Sequence, residues 1–130
     1  MKPLPDDISD DELLAYLDEW AALLEQEDYE AAYLHTEHIA EMGWSPGLIR
    51  EVIKSYGEAR PDQKVTLRGV PTDITQSKQI DRWTPDEGRY CGDIWYDLNI
   101  NGEVSDLTAT FYMQQTDRGL TVLLNDIHVM

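Results

Sequence analysis

The sequence predicts an α+β domain in which three N-terminal helices pack on one face of a four- to five-stranded antiparallel meander sheet. Helical apolar spacing and helix start signals are confined to residues 9–57, whereas residues 63–130 show the apolar–polar alternation typical of strands. At 130 residues and 42% hydrophobic content, the chain has the size of one domain with its own core. We therefore treat residues 1–130 as a single domain, with residues 1–8 as a flexible leader.

Each predicted helix has a recognisable start. The pattern Ser-x-x-Glu from Ser9 is a capping box, in which the serine and glutamate side chains bond backbone groups at a helix start. Asp28 can cap a second helix over residues 29–42, and Ser45-Pro46 places a cap before a proline at the first helical position. The sequence thus predicts three helices before the sheet begins.

Two histidines lie on the second predicted helix. His35 and His38 are three positions apart, so a helix would put them on one side, as metal ligands require. The sequence shows neither a third ligand nor the pattern His-Glu-x-x-His. We expect both histidines to be structural.

Short strands precede the main part of the sheet. Residues 64–69 and 78–84 alternate around apolar side chains and predict strands, and residues 69–77 predict a loop or an irregular edge. Residues 84–88, Thr-Pro-Asp-Glu-Gly, predict a turn by composition.

The C-terminal run is the part of the sheet whose pairing can be predicted residue by residue. Residues 94–100 alternate strictly, and Asn101-Gly102 then predicts a type I′ hairpin turn, because both residues tolerate a positive φ. The predicted register pairs Tyr96 with Leu107, Ile94 with Ala109, and Asp97 with Asp106.

A second hairpin follows. Residues 116–119 predict a three-residue loop with Gly119 in the left-handed conformation. One sheet face is then aliphatic, with Leu124 on the opposite face. The predicted register pairs Met113 with Leu123, Ala109 with Ile127, and Leu107 with Val129, and it leaves Asn125 opposite Phe111.

The polar face of this sheet is the first candidate binding site. The register puts His128 beside Thr108 and Thr108 beside Trp95, with Asp126 in the next row. A histidine among carboxylates suits a metal or a general base, but a solvent-facing sheet surface is polar in any case. We favour an interface, and we predict no catalytic residue and no metal site. The candidate binding residues are Asp93, Trp95, Asp97, Asp106, Thr108, Tyr112, Asp126 and His128.

A pocket between helices and sheet is the alternative site. It would belong to a protein that binds or transforms a small apolar molecule, although the same aromatic residues suffice for a packed core. The sequence has no nucleophile elbow, phosphate loop or dinucleotide fingerprint, so we expect no cofactor and a non-enzymatic protein. The candidate pocket residues are Trp20, Tyr33, Trp44, Tyr56, Tyr96 and Phe111.

Charge is the most extreme property of the chain. The formal net charge is -16, and residues 6–41 hold thirteen carboxylates with no lysine or arginine. This distribution argues against binding to nucleic acid or to an anionic membrane. It fits attraction of a basic protein, or simply solubility. The lone Cys91 excludes an intramolecular disulfide, and the absence of a signal-peptide or membrane-spanning pattern predicts a cytoplasmic location.

The order of elements carries one resemblance. Three helices followed by an antiparallel meander resemble the cystatin-like, cone-shaped folds of the nuclear-transport-factor and polyketide-cyclase types. That resemblance implies helices over the concave sheet face, a pocket beneath them, and an outer sheet face that often forms a homodimer. It does not transfer a function.

A narrower resemblance covers residues 83–130. Trp83 to Arg89, the run Ser105-Asp106-Leu107-Thr108 and the ending Asp126-Ile127-His128-Val129 are similar to a small uncharacterised bacterial family. Here a strand separates the Gly-Arg pair from the Ser-Asp-Leu-Thr run, a departure from the family pattern. The family has no established activity, but some comparable small acidic bacterial proteins are immunity proteins that neutralise a basic toxin. We therefore predict an acidic binding protein, an immunity-type or regulatory partner of a basic protein, with homodimerisation through the sheet left open.

Overall fold

A computed structural model describes residues 1–83 and 89–129, so the turn predicted at residues 84–88 lies outside the described residues. The α+β class and the three N-terminal helices are confirmed. The helices are α1 (Asp10–Glu25), α2 (Tyr29–His35) and α3 (Pro46–Ser55), with a 3₁₀ turn at Ala40–Met42. The strands are β1 (Glu37–His38), β2 (Val65–Thr66), β3 (Lys78–Arg82), β4 (Gly92–Ile100), β5 (Glu103–Thr116) and β6 (Gly119–Val129).

The predicted helix starts are confirmed by their caps. The Ser9 hydroxyl accepts a hydrogen bond from the Glu12 backbone N–H at 3.2 Å, and the Glu12 carboxylate accepts one from the Ser9 N–H at 3.2 Å. Asp28 and Ser45 accept from backbone N–H groups of α2 and α3 at 3.1 and 3.0 Å. These local signals place the helices without reference to the rest of the fold.

The second helix is shorter than predicted. It ends at His35 rather than at residue 42, because the Tyr16 hydroxyl donates to the His35 carbonyl at 2.6 Å and Thr36 is extended. The chain then forms β1, which pairs in parallel with Leu123 and Leu124 of β6. A side chain of α1 therefore provides the hydrogen bond that the carbonyl at the C-terminus of α2 needs, and the local sequence does not show this contact.

The two histidines are consequently not on one helix. His35 stacks on Tyr16 with ring centroids 4.0 Å apart, and its Nε2 lies 2.8 Å from the Tyr16 carbonyl. His38 stacks on Tyr33 at 3.9 Å and its Nε2 lies 2.8 Å from the Tyr33 carbonyl. Burial is the main cause that lowers the pKa of His38. Each ring serves a local packing contact.

The sheet is mixed rather than purely antiparallel. Its order is β1-β6-β5-β4-β2, with β3 also paired to β4, and β1 is the parallel strand. The residues that the structure describes thus form six strands, against the predicted four to five. The cystatin-like cone shape stays a prediction.

The first hairpin turn is confirmed, but the predicted pairing fails beyond it. Asn101 and Gly102 have φ values of 52° and 82°, as a type I′ turn requires. A bulge in β5 then shifts the register by two residues, so that Tyr96 lies opposite Ala109 and Asp97 opposite Thr108. The predicted pairs Tyr96–Leu107, Ile94–Ala109 and Asp97–Asp106 are therefore wrong.

Ser105 stabilises this bulge. Its hydroxyl donates to the Leu98 carbonyl at 2.6 Å and accepts from the Leu107 N–H at 3.2 Å, so it replaces ladder hydrogen bonds that the bulge interrupts. The side chain is buried, and water cannot substitute freely for it.

Replacing Ser105 with alanine should lower the free energy of unfolding by about 1 kcal/mol, because a backbone carbonyl and a backbone N–H lose their partner. Urea denaturation of Ser105→Ala checks this. The matched control is Ser55→Ala, whose hydroxyl bonds the Glu51 carbonyl at an exposed helix end. Equal losses in the two variants would contradict a special role for the bulge.

The second hairpin differs from the prediction in its turn. Thr116 pairs directly with Gly119, so the loop has two residues rather than three, and Met113 lies opposite Val122 rather than Leu123. The Thr116 hydroxyl donates to the Gly119 carbonyl at 2.8 Å and accepts from the Arg118 N–H at 3.2 Å, which favours the tighter turn.

A one-residue bulge at Asn125 then restores the predicted register. Ala109 lies opposite Ile127 and Leu107 opposite Val129, as predicted. Between the turn and the bulge, β6 is shifted by one residue from the predicted register, which moves its side chains to the opposite sheet face. Leu124 therefore lies in the core, where it is 0% exposed, and not on the polar face. Because Asn125 sits in the bulge, it does not lie opposite Phe111.

The core lies between the helices and one sheet face. Trp20 of α1 meets Phe111 of β5 edge to face, with ring centroids 5.1 Å apart. Helix and sheet side chains form one buried cluster, and α2 and α3 contribute residues such as Tyr29 and Ile53. All three helices thus pack on this face, which leaves the opposite face of β4, β5 and β6 outside the core. We call that opposite face the outer face.

The predicted flexible leader is bound to the second hairpin. Leu4 and Leu120 exchange two backbone hydrogen bonds of 2.8 and 2.9 Å. A Cβ atom at Gly119 would lie 2.3 Å from the Leu4 carbonyl oxygen, and Gly119 has a φ of 137°, so a glycine is required there. The leader is a structured edge of the sheet at this point.

Within residues 1–83 and 89–129, no helix is both long enough and apolar enough to cross a membrane.

Candidate functional site

The outer face brings most of the predicted binding residues together, but in different rows. Asp97, Thr108 and His128 lie side by side on β4, β5 and β6. The next row holds Trp95, Thr110 and Asp126, followed by a row of Asp93, Tyr112 and Leu123. Trp95 is thus beside Thr110, and the predicted neighbour Thr108 is wrong because of the β5 bulge.

Asp106 is the one predicted residue that leaves this arrangement. It lies within the bulge, where its carboxylate accepts a hydrogen bond from the Tyr56 hydroxyl at the end of α3. Burial, followed by this bond to Asp106, raises the pKa of Tyr56. Asp106 therefore connects helix and sheet and is not a neighbour of Asp97.

Aromatic side chains dominate the exposed part of the outer face. Trp95 and Trp83 are each 40% exposed, which is high for the largest apolar side chain. Tyr112 stacks on Tyr90 with centroids 4.5 Å apart and an interplanar angle of 8°, and Trp83 meets Tyr112 edge to face at 6.3 Å. We call Trp83, Tyr90, Trp95 and Tyr112 the aromatic patch.

The sequence did not indicate Trp83 and Tyr90 as site residues. Trp83 directly follows β3, whose residues Gln79 and Asp81 pair with Trp95 and Asp93 of the outer face. Had the β3–β4 pairing been predicted, the alternation of β3 would have placed Trp83 on this side.

Carboxylates surround the aromatic patch. Asp97 accepts a hydrogen bond from the Thr108 hydroxyl at 2.9 Å, and the Trp83 indole N–H donates to Asp81 at 3.3 Å. The Asp126 Oδ2 atom lies 3.1 Å from Nδ1 of His128. Between residues 90 and 130 the only lysine or arginine is Arg118, at the far hairpin turn. The outer face is therefore acidic across β4, β5 and β6.

The chemistry of His128 is limited by its neighbours. Thr108, the nearest hydroxyl in its row, donates to Asp97 and so is not oriented as a nucleophile toward the imidazole. In the part of the chain that the structure describes, no group of three or more histidine, cysteine, aspartate or glutamate side chains could hold a metal. Asp126 and His128 supply two ligands, which is fewer than a protein metal site uses.

A small depression lies at the centre of the outer face. It has a volume of about 130 Å³. Its walls combine exposed aromatic surface, one carboxylate, one amide and the imidazole of His128, above a threonine. The lining residues are Asp93, Trp95, Thr110, Phe111, Tyr112, Asn125 and His128.

The six candidate pocket residues are distributed over the molecule. Trp20, Tyr96 and Phe111 are almost fully buried in the core, and the Tyr96 hydroxyl donates to Asp18 at 2.5 Å. The Trp44 indole donates to the Asn125 carbonyl at 2.9 Å, and Tyr33 stacks on His38. Tyr56 lines a polar surface groove of about 420 Å³ beside the bulge. The space between helices and sheet is filled where these core side chains meet.

These features define a small α+β protein with helices on one sheet face and an acidic, aromatic surface on the other. The chain belongs to the family described as Domain of unknown function (DUF7668), which it matches over residues 21–130. The match begins inside α1, so the core residues Leu13, Leu17 and Trp20 precede it. No curated protein and no solved structure gives a significant match.

Proposed function

We propose that the protein is a non-enzymatic binding protein that docks a basic partner protein on its outer face, as an immunity-type or regulatory partner in the cytoplasm. The observation that supports this most is the pair of exposed tryptophans, Trp83 and Trp95, among carboxylates on a sheet face that the described helices leave open. Buried aromatic anchors supply most of the binding energy of interfaces, and acidic surroundings select a basic partner.

The outer face suits this role better than the acidic surface of α1. Several α1 carboxylates already have partners within the chain: Asp10 pairs with Arg82 at 2.8 Å, and Asp18 pairs with Lys78 at 2.9 Å. The Glu25 carboxylate accepts from the Leu67 N–H at 2.7 Å. These groups stabilise the contact of α1 with the sheet edge, so a partner would have to compete with them.

Charge also favours a basic partner over a second copy of the chain. Two copies of a protein with a formal net charge of -16 repel each other, and the outer face adds several carboxylates to each side of a sheet-to-sheet dimer. A basic protein removes that repulsion and gains from long-range attraction.

Replacing Trp95 with alanine should weaken binding to the partner about tenfold, because the variant loses an aromatic anchor. The wild type and the variant serve as baits for quantitative capture of basic host proteins, and the dissociation constant of the captured protein is then measured at rising salt. The matched control is Leu34→Ala, which removes another exposed apolar side chain on α2.

The proposal requires a partner that Leu34→Ala retains, that Trp95→Ala loses, and whose affinity falls with salt. Equal loss in both variants would contradict it. So would light scattering that shows a wild-type dimer dissociated by Trp95→Ala, since the outer face would then bind a second copy.

A further inference from the structure

We infer that the depression on the outer face binds the guanidinium group of an arginine side chain. This rests on the proposed function and specifies what the basic partner must present. The depression lies between Trp95 and Tyr112, with the Asp93 carboxylate in its wall. A planar cation can stack on an aromatic ring while it donates hydrogen bonds to a carboxylate at the ring edge.

The size of the depression suits one side-chain head. Its volume of about 130 Å³ equals roughly four water molecules at about 30 Å³ each. Small-molecule pockets occupy about 300 to 1,000 Å³, so this space is too small for a typical organic ligand. A single polar side-chain head from a partner fits the space.

The depression offers hydrogen-bond acceptors to a ligand. Asp93 lines the depression with a carboxylate, which accepts hydrogen bonds and donates none. The Asn125 amide nitrogen donates to the Thr110 hydroxyl at 3.2 Å, so its amide oxygen remains to accept. None of the lining residues is a lysine or an arginine. The site therefore matches a ligand with several N–H donors, as guanidinium has.

The chain already shows one guanidinium on the aromatic patch. The Arg89 Cζ atom lies 5.5 Å from the centroid of the Tyr90 ring, and Tyr90 stacks on Tyr112. The neighbouring tyrosine of the same stack thus accommodates an arginine by a cation–π contact. A second arginine, from the partner, would bind next to Tyr112 on the side of Trp95.

The test uses blocked peptides Gly-Gly-Xaa-Gly-Gly in which Xaa is arginine, lysine or citrulline. Citrulline keeps the planar shape and loses the charge, and lysine keeps the charge and loses the planar fork. The full chain labelled with ¹⁵N is titrated, and the Trp95 indole N–H signal reports binding. We expect the arginine peptide to bind about tenfold more tightly than the lysine peptide, and the citrulline peptide to leave the signal unchanged.

Two charge-matched variants complete the test. Asp93→Asn should weaken arginine-peptide binding about tenfold, and Asp117→Asn, which removes a carboxylate from the β5–β6 turn, should leave it unchanged. Equal affinity for arginine and lysine peptides, or equal effects of the two variants, would overturn the guanidinium site. Either result would leave the proposed function standing if Trp95→Ala still loses a basic partner. If, in addition, Trp95→Ala loses no basic partner that the wild type captures, both the guanidinium site and the proposed function are overturned.

Discussion

Replacing Trp20 with alanine should lower the free energy of unfolding by about 3 to 5 kcal/mol, the usual range for a fully buried tryptophan. The side chain is 0% exposed and joins α1 to the sheet through its edge-to-face contact with Phe111. Its indole N–H has no hydrogen-bond partner among the described residues, so its contribution comes from packing alone. The cavity left in Trp20→Ala would lie at the centre of the core, between rigid elements that cannot close around it.

Urea denaturation followed by circular dichroism measures this loss, with Trp95→Ala as the matched control. Trp95 is 40% exposed on the outer face, so the same substitution should cost less than about 1 kcal/mol. The two variants should therefore separate stability from binding: Trp20→Ala destabilises the fold, and Trp95→Ala weakens docking. Similar losses of stability would mean that Trp95 is part of the core and would remove the basis of the proposed function.

The parts of the fold that were predicted correctly depend on local chemistry. The capping box at Ser9 and the turn at Asn101-Gly102 each act within four residues, so the chain carries the whole signal nearby. The end of α2 at His35 was missed because it depends on Tyr16, nineteen residues away. The β5 bulge was missed because alternation stays intact on both sides of a two-residue shift, and Ser105 is an ordinary strand residue by composition. The one-residue bulge at Asn125 was missed because the second hairpin was predicted with a three-residue loop, which gives the correct pairing beyond the bulge without one.

The composition of the candidate site could be predicted better than its geometry. Alternation placed Trp95 and His128 on the polar face, and a two-residue slip does not move a side chain to the other face. It does change neighbours, which is why Asp97 meets Thr108 and Asp106 meets Tyr56. Trp83 was missed because its position depends on the register of β3 against β4, which a turn predicted from composition at residues 84–88 does not fix.

Tyr96 should make the protein sensitive to alkali. The side chain is 1% exposed, and burial, followed by its hydrogen bond to Asp18, raises the pKa of Tyr96 far above its ordinary value of about 10. Above that pH the unfolded chain releases the Tyr96 proton and the folded protein retains it. The unfolded state then binds fewer protons, so the free energy of unfolding falls by about 1.4 kcal/mol for each further pH unit.

Tyr96→Phe removes this alkaline loss of stability, but it lowers the free energy of unfolding near neutral pH. Without the hydroxyl, the hydrogen bond to Asp18 is lost, which should lower the free energy of unfolding by about 1.5 kcal/mol at pH 7. The wild-type curve falls more steeply above pH 10, so the two stability curves should cross at about pH 11. Urea titrations at intervals from pH 7 to 12 measure both curves, and the other tyrosines, common to both proteins, cancel in the difference.

Asp18→Asn is the control that separates the two causes. It keeps the buried hydroxyl and removes the carboxylate, and because burial is the larger cause, most of the alkaline loss should persist. Parallel curves for the wild type and Tyr96→Phe between pH 8 and 12 would show that Tyr96 ionises in the folded state. The contact between α1 and β4 would then be open to water, and the close packing of α1 on the sheet would be wrong.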